Sequence, residues 1–468
     1  MSEKDEKNVQ KAVDGIQQRL TEYAHAFNYE MISADAVHAA KVRIIDTLGV
    51  LVGGFFCDGS FKSRNVAADM PHEDGATVMG TRMKTAPDMA AFVNATTARY
   101  IEMTDTYHWP DAAGGHPSDM ITSILAVAEI THASGRDYIA AVVLGYEVYL
   151  RISNEFPNLD FDHTMFCCLG TAIASARLLG LTKDQLSHCI SMAVVPNCML
   201  RQARTGHQTM WRAAASGQAG RAGVFAALLA QAGMEGPHLP FEGKAGWCDH
   251  VARRRFTLDT FGGGDTPFKI LDTRLKFRAS SGHTMAPVLA AEQIAPVADI
   301  AKVERILVEV NQKAMDISGV GEQNFNPTSR ESADHSVPFL VAATLKDGKV
   351  AARSFNDSGL AHPGVRALMK KTEVAVDDEF TRAHESMPVV NCSRVTVFLS
   401  GGERLVGESN SAKSKSAKGD VDAQVVAKFR ELAEDYLGSR RVSAILERLW
   451  KLEDMHDVAT IPPDFVLD

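Results

Sequence analysis

The chain has 468 residues, of which 45% are hydrophobic and 23% are charged. These values are ordinary for a globular protein and exclude a disordered chain, and the length predicts two or three domains. The formal net charge of −9 argues against a general affinity for nucleic acid or anionic membranes, so an anionic substrate has to be attracted by local cations.

The N-terminal sequence predicts neither an export signal nor a membrane anchor. Its first ten residues are charged, and no apolar run reaches the about 18 residues that a transmembrane helix needs. The seven cysteines show no C-x-x-C spacing, which favours reduced core thiols over a metal cluster. We therefore expect a soluble, cytoplasmic protein that contacts neither membrane nor nucleic acid.

Helical periodicity dominates the first two thirds of the chain. Apolar residues from Val9 to Phe27 form one helical stripe, and Ser33 is the expected N-cap of a second helix that ends at Gly54. Pro117 is expected to begin a helix that ends near Gly135.

The following segments continue this pattern. Residues 138–152 are apolar almost all round, which is typical of a core helix. Thr182 and Gln185 form a capping-box pattern before another helix. Small residues at 210–233 predict a helix that packs closely against its neighbours.

The pattern changes near residue 270. Alternating apolar residues at 303–311 and 395–399 predict strands, the second of them followed by a glycine hairpin turn. Helices are expected at about 333–346 and 363–371, which together with the strands indicate an α+β domain. After a polar linker at about 408–420 the helical spacing returns, so the C-terminus is expected to rejoin the helical domain.

Residues 101–120 have the composition of an acid–base site. They combine Glu102, Asp105 and Asp111 with His108 and His116, and two glycines stand directly before His116. Carboxylates and imidazoles exchange protons near neutral pH, and glycines allow the backbone to approach a ligand closely. The alternative interpretation is a polar loop that ends in a capped helix start.

Four further polar segments accompany this one, at 162–164, 206–212, 276–283 and 330–336. Each alone is explained by a helix cap, a surface loop or a core histidine, but together they supply acids, bases and carboxylate binders. The sequence contains no nucleotide phosphate loop, zinc-protease motif or serine nucleophile elbow, and the histidine spacing matches no metal-ligand pattern. The glycine run at 261–265 lacks a Rossmann spacing and is expected to be a loop at a domain boundary.

Several motifs resemble those of one known family. They are DTY at 105–107, GHPSD at 115–119, GYEV at 145–148, ARLLGL at 176–181, AGRAGVFAALLA at 219–230 and RESADHSVPFLVAATLKDG at 330–348. In combination they resemble the MmgE/PrpD family, which includes 2-methylcitrate dehydratase, cis-aconitate decarboxylase and iminodisuccinate epimerase. The likeness covers nearly the whole chain.

This resemblance implies a mostly α fold with two domains. The helical domain would comprise residues 1–271 and 406–468, and an α+β lid would be inserted at 272–405. It also implies a homodimer that uses no metal, nucleotide or cluster and that acts on a small di- or tricarboxylate.

The resemblance also implies which residues act. The expected catalytic residues are His116, His283, Glu102, Asp105 and Thr106, and the expected substrate-binding residues are His163, Arg212 and Lys276. Three positions depart from the family pattern: Glu102 stands where Asp is usual, Arg212 where Lys is usual, and Phe339 where Tyr is common. Arg keeps a carboxylate clamp but removes a plausible proton donor.

The first functional hypothesis is a cofactor-independent hydro-lyase that dehydrates a 2-methylcitrate-like hydroxy-tricarboxylate by moving a proton beside a carboxylate. A decarboxylase or epimerase acting on a related di- or tricarboxylate is the alternative within the same family. A catalytically silent carboxylate-binding protein is the alternative of another class.

Overall fold

The computed structural model describes residues 13–109, 114–157, 160–411 and 418–467. The protein is mostly helical, at 58%, with a small mixed sheet in its C-terminal region. It divides into two compact units. The described residues of unit 1 lie within Met1–Arg201, Ala213–Arg274 and Val425–Asp468, and those of unit 2 lie within Gln202–Arg212 and Leu275–Gln424. The predicted lid boundaries at 272 and 405 stay a prediction.

Unit 1 is built from helices with one short antiparallel strand pair. Its α-helices and strands up to Arg274 are, in chain order, α1 (Gly15–Ala26), α2 (Ala34–Gly54), α3 (Asp58–Ala68), β1 (Pro71–Thr77), β2 (Lys84–Thr85), α4 (Pro87–Arg99), α5 (Ile121–Ile130), α6 (Gly135–Asn154), α7 (Thr164–Leu178), α8 (Lys183–Val194) and α9 (Trp211–Gln231), of which the residues from Ala213 onward belong to unit 1.

Helix starts follow the predicted capping residues. The Ser33 hydroxyl accepts a hydrogen bond from the Ala36 N–H, and α2 ends at Gly54 as expected. At α8, Thr182 and Gln185 form both bonds of the predicted capping box, at 3.3 and 3.0 Å. Such caps satisfy N–H groups that the first helical turn leaves without backbone partners.

The first helix begins later than predicted. Asp14 is its N-cap and accepts hydrogen bonds from the N–H groups of Gln17, Phe241 and Glu242. Val13 therefore precedes the helix and is 69% exposed, so its place in the apolar stripe was wrong. Val9 lies outside the described residues.

The segment after Pro117 also differs from its prediction. Pro117–Met120 is one 3₁₀ turn that leads into α5, and α5 ends at Ile130. His132 adopts a left-handed φ of 51°, which interrupts the helix, and the Ser134 hydroxyl caps α6. Gly135 is thus the first residue of α6 and does not terminate the preceding helix.

Helix α6 lies in the core of unit 1, and α9 packs closely against its neighbours, as the sequence predicts for each. Nearly every residue of α6 from Tyr138 to Ser153 is buried. In α9, a Cβ atom added at Gly223 would lie 2.5 Å from the Cys168 carbonyl oxygen, and one at Gly220 would lie 2.0 Å from the Ser123 hydroxyl. The small residues of α9 therefore allow the close helix packing that their pattern predicts.

Unit 2 contains a four-stranded sheet. Its main elements are α10 (Met285–Glu292), β3 (Val303–Val310), α11 (Val337–Asp347), α12 (Pro363–Met369), β4 (Thr372–Val376), α13 (Asp378–Glu385), β5 (Cys392–Leu399) and β6 (Arg404–Asn410). Helical segments of one turn lie at Gln312–Ala314, Glu322–Phe325, Arg330–Ala333 and Asp357–Leu360. The strand order is β4-β3-β5-β6, with β3 and β4 parallel and the other pairs antiparallel.

The sheet corrects one boundary. β6 extends through Asn410, which pairs with Cys392, so the predicted polar linker does not begin at 408. Backbone pairing with β5 makes this polar segment a strand, because an edge strand tolerates polar side chains. Residues 412–417 of that linker lie outside the described part of the chain. After them, helices α14 (Lys418–Leu437) and α15 (Ser439–Trp450) follow, as predicted.

Among the residues that the structure describes, no single helix is long and apolar enough to cross a membrane. The bent pair formed by α2 and α3 meets the criterion by length and composition only when both helices are taken together. None of the seven cysteines, all of which the structure describes, forms a disulfide; five are buried, and Cys57 and Cys198 are partly exposed.

Candidate active site

The predicted acid–base segment in unit 1 forms a loop between α4 and the 3₁₀ turn. Tyr107 and Gly115 exchange two backbone hydrogen bonds, at 2.8 and 3.0 Å, which hold these two residues side by side. Residues 110–113, including Asp111, lie outside the described residues. The side chains that precede and follow this pair lie near the C-terminal end of α4 and the N-terminal end of α7.

His116 is oriented by the backbone of the same loop. Its Nδ1 atom lies 2.7 Å from the Asp105 carbonyl oxygen, so Nδ1–H donates this bond. The other ring nitrogen, Nε2, lies 3.7 Å from a carboxylate oxygen of Glu102. A backbone bond at Nδ1 thus selects the tautomer in which Nε2 can accept a proton.

Glu102 is fully buried in a left-handed backbone conformation with φ of 55°. This φ is costly for a residue with a side chain, and such residues occur at functional sites whose surroundings enforce them. The Arg99 guanidinium, at the end of α4, forms an ion pair with Glu102. Its Nε atom also lies 3.4 Å from Asp119, so one buried cation serves two carboxylates.

His163 belongs to the same cluster. Its Nε2 atom lies 3.6 Å from Asp119, and its ring centroid lies 5.3 Å from that of His116. Nδ1 lies 3.5 Å from the carboxylate of Asp162, which also accepts hydrogen bonds from the N–H and hydroxyl of Thr164 and so fixes the start of α7. Two imidazoles that are 47 residues apart in the sequence are therefore neighbours.

Asp105 stabilises the loop that carries His116. Its carboxylate accepts hydrogen bonds from the Ser118 N–H at 3.0 Å and from the Tyr146 hydroxyl at 2.9 Å. Complete burial raises the pKa of this carboxyl above its ordinary value, although these hydrogen bonds oppose the shift. Both its backbone carbonyl and its side chain thus hold the loop that carries His116.

Both the backbone and the side chain of Thr106 make hydrogen bonds. Its N–H and carbonyl exchange hydrogen bonds with Arg274, at 2.7 and 2.8 Å, and its hydroxyl lies 3.2 Å from Nε2 of His108. Unit 1 therefore assembles five of the predicted site residues in one loop and the adjoining helix start.

A buried ion pair that the sequence analysis did not identify supports the same loop. Lys428, on α14, lies 2.6 Å from a carboxylate oxygen of Asp46 and donates a second bond of 2.6 Å to the Met103 carbonyl. Burial raises the pKa of Asp46 and lowers the pKa of Lys428, because it penalises the charged form of each group. The carbonyl of Met103 adjoins Glu102, so this pair fixes the backbone beside the strained residue.

In unit 2, Arg212 is already bound by protein groups. Its two terminal nitrogens lie 2.8 and 2.9 Å from the two carboxylate oxygens of Asp334, a bidentate ion pair, and it also donates to the Glu331 carbonyl. Burial raises the pKa of Asp334, but the Arg212 charge and a 2.7 Å hydrogen bond from His335 outweigh it and lower the pKa overall. The predicted role of Arg212 in binding a substrate carboxylate stays a prediction.

Lys276 and His283 lie on the loop before α10. The Lys276 ammonium is buried and donates to the Ser280 carbonyl at 3.2 Å, and His283 is partly buried with its ring 6.2 Å from that of His384. The Ser281 N–H donates to the Asp334 carbonyl at 2.9 Å, which ties this loop to the Arg212 cluster. Unit 2 thus brings its three predicted site residues onto linked segments, while convergence with the residues of unit 1 stays a prediction.

Two charged residues of the unit 1 cluster had no role in the sequence-based prediction. Asp119 was visible as the last residue of the GHPSD motif. Arg99 carried no signal in the sequence, because its partners are set by the turn that follows α4.

Comparison with known proteins places the chain in a family. The MmgE/PrpD N-terminal domain matches residues 18–258, and the MmgE/PrpD C-terminal domain matches residues 279–452. The 2-methylcitrate dehydratase of Salmonella typhi is 25% identical over 405 residues, covering 81% of this chain and 82% of that protein.

Two other relatives match over more of the chain. The cis-aconitate decarboxylase-like protein oryM of Aspergillus oryzae is 24% identical over 467 residues, covering 92% of this chain and 93% of that protein. The cis-aconitate decarboxylase of Homo sapiens is 24% identical over 464 residues, with coverages of 93% and 92%. Dehydratases and decarboxylases of this kind are lyases, and the chain belongs to the MmgE/PrpD family.

Proposed function

We propose that this protein is a hydro-lyase that dehydrates a 2-methylcitrate-like hydroxy-tricarboxylate without a cofactor. The observation that carries the proposal is the orientation of His116. Its Nδ1–H is bound to the Asp105 carbonyl, and its Nε2 faces the buried Glu102 beside a second imidazole. A base with a fixed tautomer next to a carboxylate is suited to removing a proton from carbon.

The reaction requires two proton transfers. A base removes the proton from the carbon beside a substrate carboxylate, and the electron pair left on that carbon forms the double bond. The hydroxyl group on the neighbouring carbon leaves after accepting a proton from an acid, so that water is released. His116 as base and His163 as acid fit these roles because their ring centroids are 5.3 Å apart.

Negative charge builds up on the substrate carboxylate during proton removal, so the site needs cationic groups. We propose that residues 272–405 act as a lid that brings Lys276 and His283 to the substrate, with Arg212 binding a substrate carboxylate. Replacing Arg212 by Lys, the residue usual in the family, tests its part. A shift of activity between tricarboxylates would support the role of Arg212 in binding a substrate carboxylate. Unchanged specificity with lowered stability would mean that Arg212 only pairs with Asp334 and does not bind substrate.

Decarboxylation of a cis-aconitate-like substrate is the second candidate. The relatives named as cis-aconitate decarboxylases or as decarboxylase-like match over 92–93% of the chain, against 81% for the dehydratase of Salmonella typhi. The same carbanion-like intermediate would then arise from loss of carbon dioxide and be protonated by an imidazole. Epimerisation of a related dicarboxylate would use two bases on opposite faces of one carbon.

A substrate panel separates these functions. The purified protein is incubated with citrate, 2-methylcitrate, cis-aconitate and iminodisuccinate, and products are followed by ultraviolet absorbance, carbon dioxide release and NMR. Formation of an unsaturated tricarboxylate from 2-methylcitrate supports the hydro-lyase. Carbon dioxide release from cis-aconitate establishes the decarboxylase instead, and binding of the acids without turnover establishes a silent carboxylate-binding protein.

Two further proposals accompany this function. We propose a homodimer, tested by sedimentation equilibrium, in which a monomer at micromolar concentration would contradict it. We also propose that turnover needs no metal, because the chemistry described uses only protonation of side chains. Activity abolished by a chelator and restored by a divalent ion would contradict that proposal.

A further inference from the structure

Three buried side chains of unit 1 have the chemistry and spacing of a metal site. The ligand atoms of Asp119, His163 and Cys167 all lie within 4.8 Å of one another. His163 directly precedes α7 and Cys167 is four residues later, so both project from the same face of the first helical turn. Asp119 closes the group from the 3₁₀ turn before α5.

A carboxylate lies near the second ring nitrogen of the histidine, as it does in many metal sites. Metal-binding histidines place their second ring nitrogen against a carboxylate or carbonyl, which directs the other nitrogen at the metal. The Nδ1 atom of His163 lies 3.5 Å from Asp162, and its Nε2 atom lies 3.6 Å from Asp119. The side that would face a cation is therefore Nε2.

The local charge also favours a divalent cation. Three carboxylates surround His163 and His116, those of Glu102, Asp119 and Asp162, whereas Arg99 supplies one positive charge. When all four groups are ionised, the three carboxylates and Arg99 together carry two net negative charges. The side chains of His163 and His116 remain 8% and 13% exposed, so both imidazoles retain some contact with solvent.

We propose that Asp119, His163 and Cys167 form an inhibitory site for a thiolate-binding divalent cation of the Zn²⁺ type. Carboxylate, imidazole and thiolate are the ligands that Zn²⁺ prefers, and three protein ligands leave a fourth position for water. Zn²⁺ bond lengths place tetrahedral ligand atoms about 3.4–3.8 Å apart, so each pair of ligand atoms, now within 4.8 Å, needs to approach by roughly 1.4 Å at most.

Metal binding releases one proton, which comes from the Cys167 thiol. The Cys167 thiol now lies 3.8 Å from the His116 carbonyl oxygen. On binding, that thiol releases its proton to solvent and the sulfur electron pair bonds to the metal, while His163 binds through the lone pair of its neutral ring. Metal affinity should consequently fall as pH is lowered, because protons compete for the same ligand atoms.

Inhibition follows because the cation would occupy residues of the candidate active site. His163 could no longer exchange a proton while its Nε2 is bound to metal. This part of the inference rests on the proposed function, whereas metal binding itself does not.

The first experiment measures binding without substrate. Full-length protein, reduced and freed of metal, is titrated with Co²⁺ while the absorbance of the cobalt–thiolate bond is followed, and with Zn²⁺ in a calorimeter. We expect one equivalent of metal and a thiolate band in the wild type. Cys167→Ser should abolish the band and weaken Zn²⁺ binding by at least about tenfold.

Cys168→Ser is the matched control. Cys168 is the adjacent residue and is equally buried, but its thiol lies 3.7 Å from the Ala193 carbonyl on α8. It should retain the band and the affinity of the wild type. If Cys167→Ser does not fold, as judged by circular dichroism, His163→Asn provides the same test of affinity. Absence of a thiolate band in folded wild-type protein, or equal Zn²⁺ affinity in the wild type and the folded variant, would overturn the proposal.

The second experiment measures the ratio of activity with and without Zn²⁺ in each variant. Zn²⁺ should inhibit the wild type and Cys168→Ser, and a chelator should reverse the inhibition. Equal inhibition of Cys167→Ser would place the inhibitory cation elsewhere and overturn the inhibitory assignment. If the protein turns over none of the substrates, the binding experiment still decides whether the metal site exists, so the two proposals fail separately.

Discussion

The imidazoles of the unit 1 cluster lie farther from their neighbouring carboxylates than the Arg212 guanidinium of unit 2 lies from Asp334. Around His116 in unit 1, imidazole nitrogens lie 3.5–3.7 Å from the carboxylates of Glu102, Asp119 and Asp162. In unit 2, the contacts of Arg212 with Asp334 are 2.8 and 2.9 Å long. Distances beyond about 3.2 Å exceed normal hydrogen bonds, so the first cluster can rearrange its proton donors around a ligand.

This difference teaches that residue type and burial do not by themselves distinguish reactive groups from structural ones. Arg212 has the residue type of a carboxylate clamp, yet its bidentate partner belongs to the protein. His116 is held firmly at one nitrogen and loosely at the other, which is the arrangement that proton transfer requires.

The largest expected effect comes from replacing His116. If this imidazole transfers the proton, His116→Ala should lower kcat by about 10²–10⁴-fold and change KM much less. Steady-state kinetics on the substrate identified by the panel measure both constants. His132→Ala is the control, because His132 is a largely exposed histidine of the same unit that pairs with Asp457. A kcat within threefold or so of the wild type would remove His116 from the proton-transfer step.

The next effect tests the tight cluster. Arg212→Met should destabilise the protein by about 3–5 kcal/mol, because it leaves the buried Asp334 carboxylate without its cation. The double variant with Asp334→Asn should be destabilised by less than the sum of the single variants, as urea unfolding would measure. Lys451→Met, which removes the exposed pair with Glu447, should cost less than about 1 kcal/mol. Unchanged stability of Arg212→Met together with a raised KM would instead make Arg212 a substrate clamp.

A smaller effect tests the loop that carries His116. Gly115 has a φ of 121°, and an added Cβ would lie 2.2 Å from the Tyr149 hydroxyl and 2.5 Å from the His163 ring. Gly115→Ala should therefore cost about 1–3 kcal/mol and lower activity by displacing His163. Gly180→Ala also introduces a side chain at positive φ, at 67°, but meets nothing within 4 Å, so it measures the backbone effect alone. Equal losses in the two variants would mean that the contact with His163 has no consequence.

The smallest effect concerns Asp105 and depends on pH. Burial raises its pKa, so the folded protein binds this proton more tightly than the unfolded chain. Stability is therefore full below the unfolded pKa of about 3.9 and is lost as pH rises from there to the raised folded pKa. Asp105→Asn lacks this titration and should gain stability relative to the wild type between pH 4 and pH 7 or so. Denaturant unfolding at both pH values gives the difference, and a parallel pH dependence of the two proteins would contradict it.

Local sequence patterns were sufficient where one or two turns of chain decide the structure. The Ser33 cap and the Thr182–Gln185 capping box are bonds between residues three positions apart, and the alternating apolar pattern of β3 reflects burial of one strand face. The family resemblance added the grouping of Glu102, His116 and His163, which no spacing rule contains.

Long-range partners could not be predicted from the sequence. Asp334 follows Arg212 by 122 residues and Asp46 precedes Lys428 by 382, so neither pair leaves a local pattern. The same reason explains why the sequence wrongly placed Val13 in the apolar stripe of the first helix. The N-cap at Asp14 is reinforced by N–H groups of Phe241 and Glu242, and an apolar stripe carries no information about these partners.

The bond between Lys428 and the Met103 carbonyl bears on the order in which the protein is made. Its two residues are 325 positions apart, and all of residues 275–424 are synthesised between them. A ribosome therefore releases the loop of Glu102 long before it releases the lysine that holds that loop. Because domains begin to fold during translation, the first 274 residues emerge before the Lys428 ammonium that pairs with Asp46. Truncated products that end before Lys428 would lack both this ion pair and the bond to the loop of Glu102.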